Sequence, residues 1–209
     1  MHVLIVAATK FELEPFIKVN SDADILITGV GIPATVFHLT KKLLEKNYDL
    51  AIQAGIAGSF THRLNLSEVV VVTQDTFGDI GIEEDGKFQT LSEKEFADKN
   101  DFPFTNGWLA NPNSIFNKIN LPSAIGLTVN KVTGNKFQNE VTKEKFSADI
   151  ETMEGAAFHY VCLHQQINFL QLRSISNEVG ERDKTKWKTK EAINNLNDEL
   201  FKIIKNLTI

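Results

Sequence analysis

The sequence predicts a layered α/β domain with a largely parallel central sheet, and three observations carry that reading. Short apolar runs recur along the chain without polar alternation, the pattern of strands covered on both faces. Segments with helical spacing separate them, as the crossovers of a parallel sheet require. The 209 residues, 42% of them hydrophobic, suffice for one substantial core. One domain spanning residues 1–209 is expected.

In chain order, HVLIVAA (2–8) and ADILIT (23–28) read as the first two strands. Pro33 then opens a helix, a first-turn position that proline tolerates, with Val36, Phe37, Leu39, Leu43 and Leu44 as its apolar positions and an end near Asn47. Strands follow at YDLAIQA (48–54) and SEVVVVTQ (67–74). From Thr76 to Pro122 the chain is rich in Gly, Asp, Asn and Phe, with turn signals that include Asp85-Gly86, Pro103 and Gly107. It reads as loops and short strands inserted at one end of the sheet, where such folds place ligands. SAIGLTV (123–129) and NFLQLRSIS (168–176) complete the strands, with a helix from near Met153 between them. The last helix, from about Lys188, puts Ile193, Leu196, Leu200, Ile203 and Leu207 on one face.

Composition excludes several functions. The formal net charge is -5 and arginine occurs only at positions 63, 173 and 182. Nucleic acid is not an expected partner, because phosphate binding needs a contiguous cationic patch and the lysines are spread among acids. Cys162 is the single cysteine, so no internal disulfide forms and a reducing compartment fits. The opening HVLIVAAT is short, lacks a preceding basic residue and runs into Lys10, Glu12 and Glu14, which suits a buried strand better than a secretory segment. No apolar stretch approaches the ~20 residues of a membrane span. A soluble, cytoplasmic protein is expected. The five histidines form no ligand set with Cys or acids, and no P-loop, HExxH or G-x-S-x-G motif occurs, so neither a metal nor a cofactor is expected.

Four segments hold the candidate chemistry. Gly29-Val30-Gly31-Ile32-Pro33 and Gly55-Ile56-Ala57-Gly58 follow strands and either admit a ligand to the backbone or simply turn between packed layers. Glu12 and Glu14 lie just past the first strand, where catalytic groups collect in α/β sheets and where an acid also favours a helix N-terminus. In Met153-Glu154-Gly155-Ala156-Ala157 a strand end delivers an acid to a tightly packed helix start, to meet a ligand hydroxyl or to cap the helix. The fourth, LQLRSISNEVGERDKTKW, ends a strand on the neutral amide of Asn177.

Together, AATKFE, TGVGIPAT, QAGIAGSF, LTVNKVTGN, IETMEGAAFHYVC and LRSISNEVGERD resemble, in order and spacing across the chain, the nucleoside phosphorylase and nucleosidase superfamily, and more closely its nucleosidase branch. The resemblance implies an α/β fold, a three-layer α/β/α single domain with a twisted mixed central sheet. It implies cleavage of an N-glycosidic bond of a purine nucleoside, and a homodimer or higher homo-oligomer. By resemblance, Glu12 is the general base that activates water and Asn177 faces the departing purine. Glu154 binds the ribose hydroxyls, Met153 packs on the sugar, Arg173 holds Glu154, and Ser176 orients residue 177. Thr9, Gly55, Thr73, Val132 and Thr133 join them as substrate-binding positions.

Two departures narrow the activity. Adenine-specific members carry an Asp where this chain has Asn177; a carboxamide donates to a 6-oxo group and accepts from a protonated N7, which suits hypoxanthine or guanine. Phosphorylases place an Arg and a hydroxyl residue where this chain has Gln53 and Ile56, so water rather than phosphate is the expected nucleophile. With RSISNEVGERDKTKW, the chain is similar to the futalosine hydrolase group, whose members release hypoxanthine on a menaquinone route. In that segment Arg182, Lys184 or Lys186 attracts a substrate carboxylate or forms a solvated loop, and Trp187 covers the site or anchors the last helix. An adenine nucleosidase acting on methylthioadenosine or aminofutalosine, and a nucleoside-binding protein that has lost catalysis, are the alternatives.

Overall fold

The computed structural model describes residues 1–19, 23–113, 115 and 119–207. Its strands are β1 (Val3–Ala7), β2 (Asp24–Ile27), β3 (Leu50–Ser59), β4 (Val69–Asp75), β5 (Gly81–Glu84), β6 (Lys87–Thr90), β7 (Leu109–Ala110), β8 (Ser123–Thr128), β9 (Ile150–Thr152) and β10 (Asn168–Glu178). The helices are α1 (Glu14–Lys18), α2 (Ile32–Glu45), α3 (Lys136–Phe146), α4 (Gly155–His164) and α5 (Thr189–Leu207).

The main sheet runs β10-β4-β8-β9-β3-β1-β2, with parallel and antiparallel neighbours, so it is mixed. β3 also pairs with β10. Ten residues let β3 hold β1 over its first half, β10 along its length and β9 at its end. The strands from β3 through β10, β4, β8 and β9 therefore close on themselves, while β1 and β2 extend the sheet on one side. Neither that closure nor β9 was visible in the apolar runs.

Three layers follow from the burial of alternate residues. Val3 and Ile5 of β1 join Leu170 and Leu172 against Leu196, Leu200 and Ile203 of α5. Leu4 and Val6 turn the other way, to Leu39 of α2 and Phe158, Val161 and Cys162 of α4. Within the closed strands Ala57, Val70, Val72, Ala124, Ile150 and Ile175 form their own cluster. The helix expected from near Met153 begins at Gly155, and a helix not foreseen, α3, follows β8.

In the Thr76 to Pro122 region, residues 114 and 116–118 lie outside the described residues. The rest has the expected character: a β5-β6 hairpin turning at Asp85-Gly86, then turns leading to β7. A cavity of about 400 Å³ opens there between Phe77, Phe104, Trp108 and Phe146.

Candidate active site

Two buried carboxylates, past the carboxyl ends of β1 and β9, meet one buried guanidinium of β10 against the middle of β3. Glu12 stands on the short 3-10 turn Lys10–Leu13 that follows β1 and is 7% exposed. Its Oε2 accepts from the Thr9 amide and hydroxyl, each at 2.9 Å, and its Oε1 from the Ile56 amide at 3.2 Å. Behind the turn, Asn197 of α5 donates to the Glu12 carbonyl at 2.8 Å and accepts from the Phe16 amide at 3.1 Å. The carboxylate is thus aimed by β3 and its backbone is fixed by the last helix.

Glu154 lies between β9 and α4. Its Oε1 accepts from the Gly31 amide at 3.0 Å, and its Oε2 is 3.9 Å from Arg173 Nη1. The free amides at the start of α2 therefore face an anion, and that anion is Glu154 (the next amide, of Ile32, donates to Asn130 Oδ1 at 3.0 Å). Burial pushes the Glu154 carboxyl above its ordinary range; Arg173 and the Gly31 amide pull it back, and the charge of Glu12 pushes with burial. Arg173, 1% exposed, donates from Nη2 to Gln53 Oε1 at 2.7 Å. Gly55 makes the meeting possible: a Cβ there would run into Arg173 Nη1 and come within 2.9 Å of Glu12 Oε1. The structure therefore brings Glu12, Gly55, Glu154 and Arg173 together, with Thr9 as the residue that holds Glu12.

Asn177 sits at the end of β10, past an irregularity in its pairing with β3 between Ile175 and Asn177. Ser176 Oγ lies 2.7 Å from Asn177 Oδ1 and donates to it, and Asn177 Nδ2 donates to the Glu178 carbonyl at 2.8 Å. A carbonyl only accepts, so the Glu178 contact fixes which end of the amide is nitrogen.

The remaining candidates are placed less directly. Met153 is half-buried beside Glu154. Thr73 turns its hydroxyl toward the Ala124 carbonyl at 3.4 Å. Val132 is exposed on the loop after β8, and the Thr133 hydroxyl is occupied at the start of α3, with the Asn135 amide at 3.1 Å and Gln138 Oε1 at 3.2 Å. That loop is moored near α2 by Asn130 and by Asp79, whose Oδ2 accepts from the Asn130 and Lys131 amides at 2.6 and 3.2 Å. In the charged segment, Lys186 pairs with Glu181 at 2.7 Å and the Trp187 ring nitrogen donates to the Glu181 carbonyl at 3.0 Å. Trp187 thereby anchors its own loop, and Lys186 is committed locally.

One buried network escaped the sequence reading. Asp75, the last residue of β4, accepts from the Thr128 hydroxyl at 2.9 Å and from Gln171 Nε2 at 3.1 Å. The Thr128 hydroxyl accepts from the Ala156 amide at 2.7 Å, and the Thr152 hydroxyl from the Gly155 amide at 3.2 Å. Hydroxyls backed by a carboxylate thus satisfy the first turn of α4, next to Glu154. Burial pushes the Asp75 carboxyl up to about 7, against the pull of Gln171, Thr128 and Arg173. Because the folded value lies above the unfolded one, its contribution to stability is present below about 4 and lost as pH rises through 7. The parent is expected to lose roughly 1–3 kcal/mol of stability between pH 5 and pH 8, and Asp75→Asn, which has no proton to lose, to stay flat over that range. Urea unfolding at both pH values checks this; a parent more stable at pH 8 than at pH 5, with the variant flat, would refute it.

Comparison with known proteins identifies the family. A family model described as the phosphorylase superfamily matches residues 4–208. Futalosine hydrolase of Thermus thermophilus is 30% identical over 174 residues, 82% of this chain and 76% of that protein. Futalosine hydrolase of Streptomyces coelicolor is 28% identical, over 86% and 77%. Among solved structures, futalosine hydrolase of Helicobacter pylori superposes with a TM-score of 0.81 at 16% identity, covering 99% of this chain and 98% of that one, a likeness of fold. With a family match along nearly its whole length, the chain belongs to the phosphorylase superfamily.

Proposed function

We propose that this chain is a nucleosidase that hydrolyses the N-glycosidic bond of a 6-oxopurine nucleoside, with futalosine as its substrate and hypoxanthine as the base released. The observation that carries the reading is Asn177, whose amide is held in one orientation by Ser176 and the Glu178 carbonyl at the end of the strand that also carries Arg173. A free amide could rotate to suit either purine; this one presents its second N–H to an oxygen and its second lone pair to a protonated nitrogen. The curated futalosine hydrolases that match over most of the chain support the same substrate and the menaquinone route.

In the mechanism, Glu12 removes a proton from water as its oxygen bonds to the anomeric carbon. The C1′–N9 bond breaks with its electron pair going to the base, and positive charge grows on the sugar. Glu154, accepting from the ribose hydroxyls, stabilises that charge, while Arg173 pulls its carboxyl back toward the ionised form against burial. The departing purine takes a proton at N7 from solvent, balancing the one that Glu12 removes from the attacking water and later returns to solvent; Asn177 Oδ1 receives the N7–H while Nδ2 donates to O6. Phosphorolysis is disfavoured because the Arg173 guanidinium is already engaged by Gln53 and Glu154, and Arg63 is turned to Asp149 and the Ser123 carbonyl. The protein works as one domain of residues 1–209 in the cytoplasm, as a homo-oligomer. The structure contains no helix, among the described residues, long and apolar enough to cross a membrane.

Incubation with futalosine, inosine and methylthioadenosine, with free base followed by chromatography, tests the reading. Hypoxanthine from futalosine without added phosphate is the expected result. Adenine alone would favour the methylthioadenosine activity of other superfamily relatives, and no base at all would favour a binding protein.

A further inference from the structure

Four side chains, His159, Gln171, Asp75 and Thr128, each 0% exposed, form one polar chain beneath α4. His159 places Nδ1 2.8 Å from the carbonyl of Leu109, the β7 residue paired with Asp75. Its ring meets the Gln171 amide of β10, and Gln171 reaches Asp75 Oδ2 at 3.1 Å. Asp75 Oδ1 receives the Thr128 hydroxyl, which receives the Ala156 amide. The carboxyl is also seated against the bare Cα of Gly155, where an added Cβ would run into Oδ2. Gly155 and Ala156 directly follow Glu154, so the chain ends on the backbone that carries this acid.

With Asp75 ionised, this chain is one proton short. A carbonyl only accepts, so His159 donates from Nδ1 and its neutral ring keeps a lone pair on Nε2. Gln171 donates from Nε2 to Asp75, which leaves Oε1 as its other end. Gln171 Oε1 and His159 Nε2 are then two buried acceptors, and neither has a donor among the described residues. A proton on Asp75 Oδ2 satisfies both: the carboxyl donates to the oxygen of a reversed Gln171 amide, and the amide nitrogen donates to His159 Nε2. Buried polar atoms without partners are costly, so the protonated chain is favoured. A proton on His159 would complete the same chain, but burial lowers that ring to about 4 while it raises Asp75 to about 7.

The charge that bears on Asp75 is Arg173 of β10, and the titratable group reached through Gln171 is His159 of α4. β7 and β8 contain no titratable residue, and the charges that bear on Glu151 of β9 are Arg182 and Asp79. Arg173 also pulls on Glu154, which the charge of Glu12 opposes. An ionised Asp75 would set three buried carboxylates around one guanidinium, a balance that favours a proton on Glu154.

We propose that Asp75 is a positioning residue whose protonated side chain fixes the Gly155 and Ala156 end of α4 and leaves Arg173 to Glu154. The inference rests on the hydrolytic reading above, in which Glu154 is ionised as positive charge grows on the sugar. Asp75 touches no substrate and acts through Glu154. The active form carries the proton, so activity is full below the Asp75 value and lost as pH rises through about 7.

The test measures hypoxanthine release from futalosine by the parent, Asp75→Asn and Asp75→Val between pH 6 and pH 9, after circular dichroism has shown both variants folded. The parent is expected to lose about tenfold in kcat across that range, with a smaller change in KM. Asparagine imitates the protonated acid, with an oxygen for Thr128 and an N–H for Gln171. It is expected to stay within about threefold of the parent kcat at pH 6 and to lose the decline above it. Valine offers neither partner and is expected to lower kcat about tenfold or more at every pH, so recovery by asparagine separates hydrogen bonding from filled volume. Carbon-13 NMR of protein labelled at its aspartate carboxyls reads the proton without turnover: one signal titrates near 7 in the parent and is missing from Asp75→Asn. A parent kcat that is flat with pH, an asparagine variant that keeps the decline, or an Asp75 carboxyl already ionised at pH 6 overturns the role of Asp75 while the hydrolytic reading stands. If the parent releases no base from futalosine, inosine or methylthioadenosine, the hydrolytic reading fails first and the role of Asp75 goes with it.

Discussion

Glu12→Gln lowers kcat for hypoxanthine release by roughly 10²–10⁴-fold while affinity for the free base stays within about threefold. Glutamine keeps the shape of the side chain and removes its ability to take a proton from water. The substitution also disturbs the hydrogen bonds that aim the carboxylate. Glu12 receives three donors, the Thr9 amide and hydroxyl on one oxygen and the Ile56 amide on the other. An amide offers one oxygen, so in either orientation its nitrogen faces at least one donor, a mismatch of about 1–3 kcal/mol. Some loss of thermal stability accompanies the loss of rate, and the two separate in the assay: a destabilised but folded enzyme binds hypoxanthine normally and still fails to turn over. A kcat within tenfold of the parent would mean that another group activates the water.

How far the sequence discloses this arrangement depends on the length of the element. Runs such as HVLIVAA and SEVVVV mark β1 and β4 because strands covered on both faces must be apolar throughout. α5 is legible from Ile193, Leu196, Leu200 and Ile203, each of which is buried. α3 offers no such stripe: KFQNEVTKEKF is almost wholly polar and buries only Asn139, so its helical form shows in the Asn135 cap rather than in periodicity. β9 has three residues, too few to show a period.

The site divides in the same way. Glu12 and Glu154 stand out as acids at strand ends, yet residue chemistry alone left each open to a capping role, and only the family pattern distinguished them. The structure does not bear out a cap on its own helix: the Glu154 side chain makes no cap bond to α4 and accepts instead from the Gly31 amide before α2, while standing beside Arg173. Asp75 was not legible because its significance lies in pairing across the sheet, where it meets Thr128 and Gln171 of two other strands. Such lateral neighbours are far apart in sequence, and the pairing of β4 with both β8 and β10 is what brings them together.

Asn177→Asp is the substitution with the largest expected effect on selectivity. The residue changes by a single atom, from N–H donors to an oxygen, and that oxygen would face the Glu178 carbonyl that Nδ2 now serves at 2.8 Å. Two acceptors at that distance repel, so the new carboxyl either rotates, giving up the Ser176 contact, or holds a proton toward Glu178. In the first case the site loses the donor to O6. In the second its one proton is spent on the protein and again none remains for O6. Either way kcat/KM for futalosine falls by roughly a hundredfold or more, the loss expected when a site built to pair with a polar group leaves it unpaired. Adenine nucleosides gain comparatively, because the exocyclic amine now meets an acceptor. Steady-state kinetics of the variant on futalosine and methylthioadenosine checks this, the ratio of the two kcat/KM values moving toward methylthioadenosine. A variant that keeps the parent's kcat/KM for futalosine and its preference would mean that residue 177 does not contact the base.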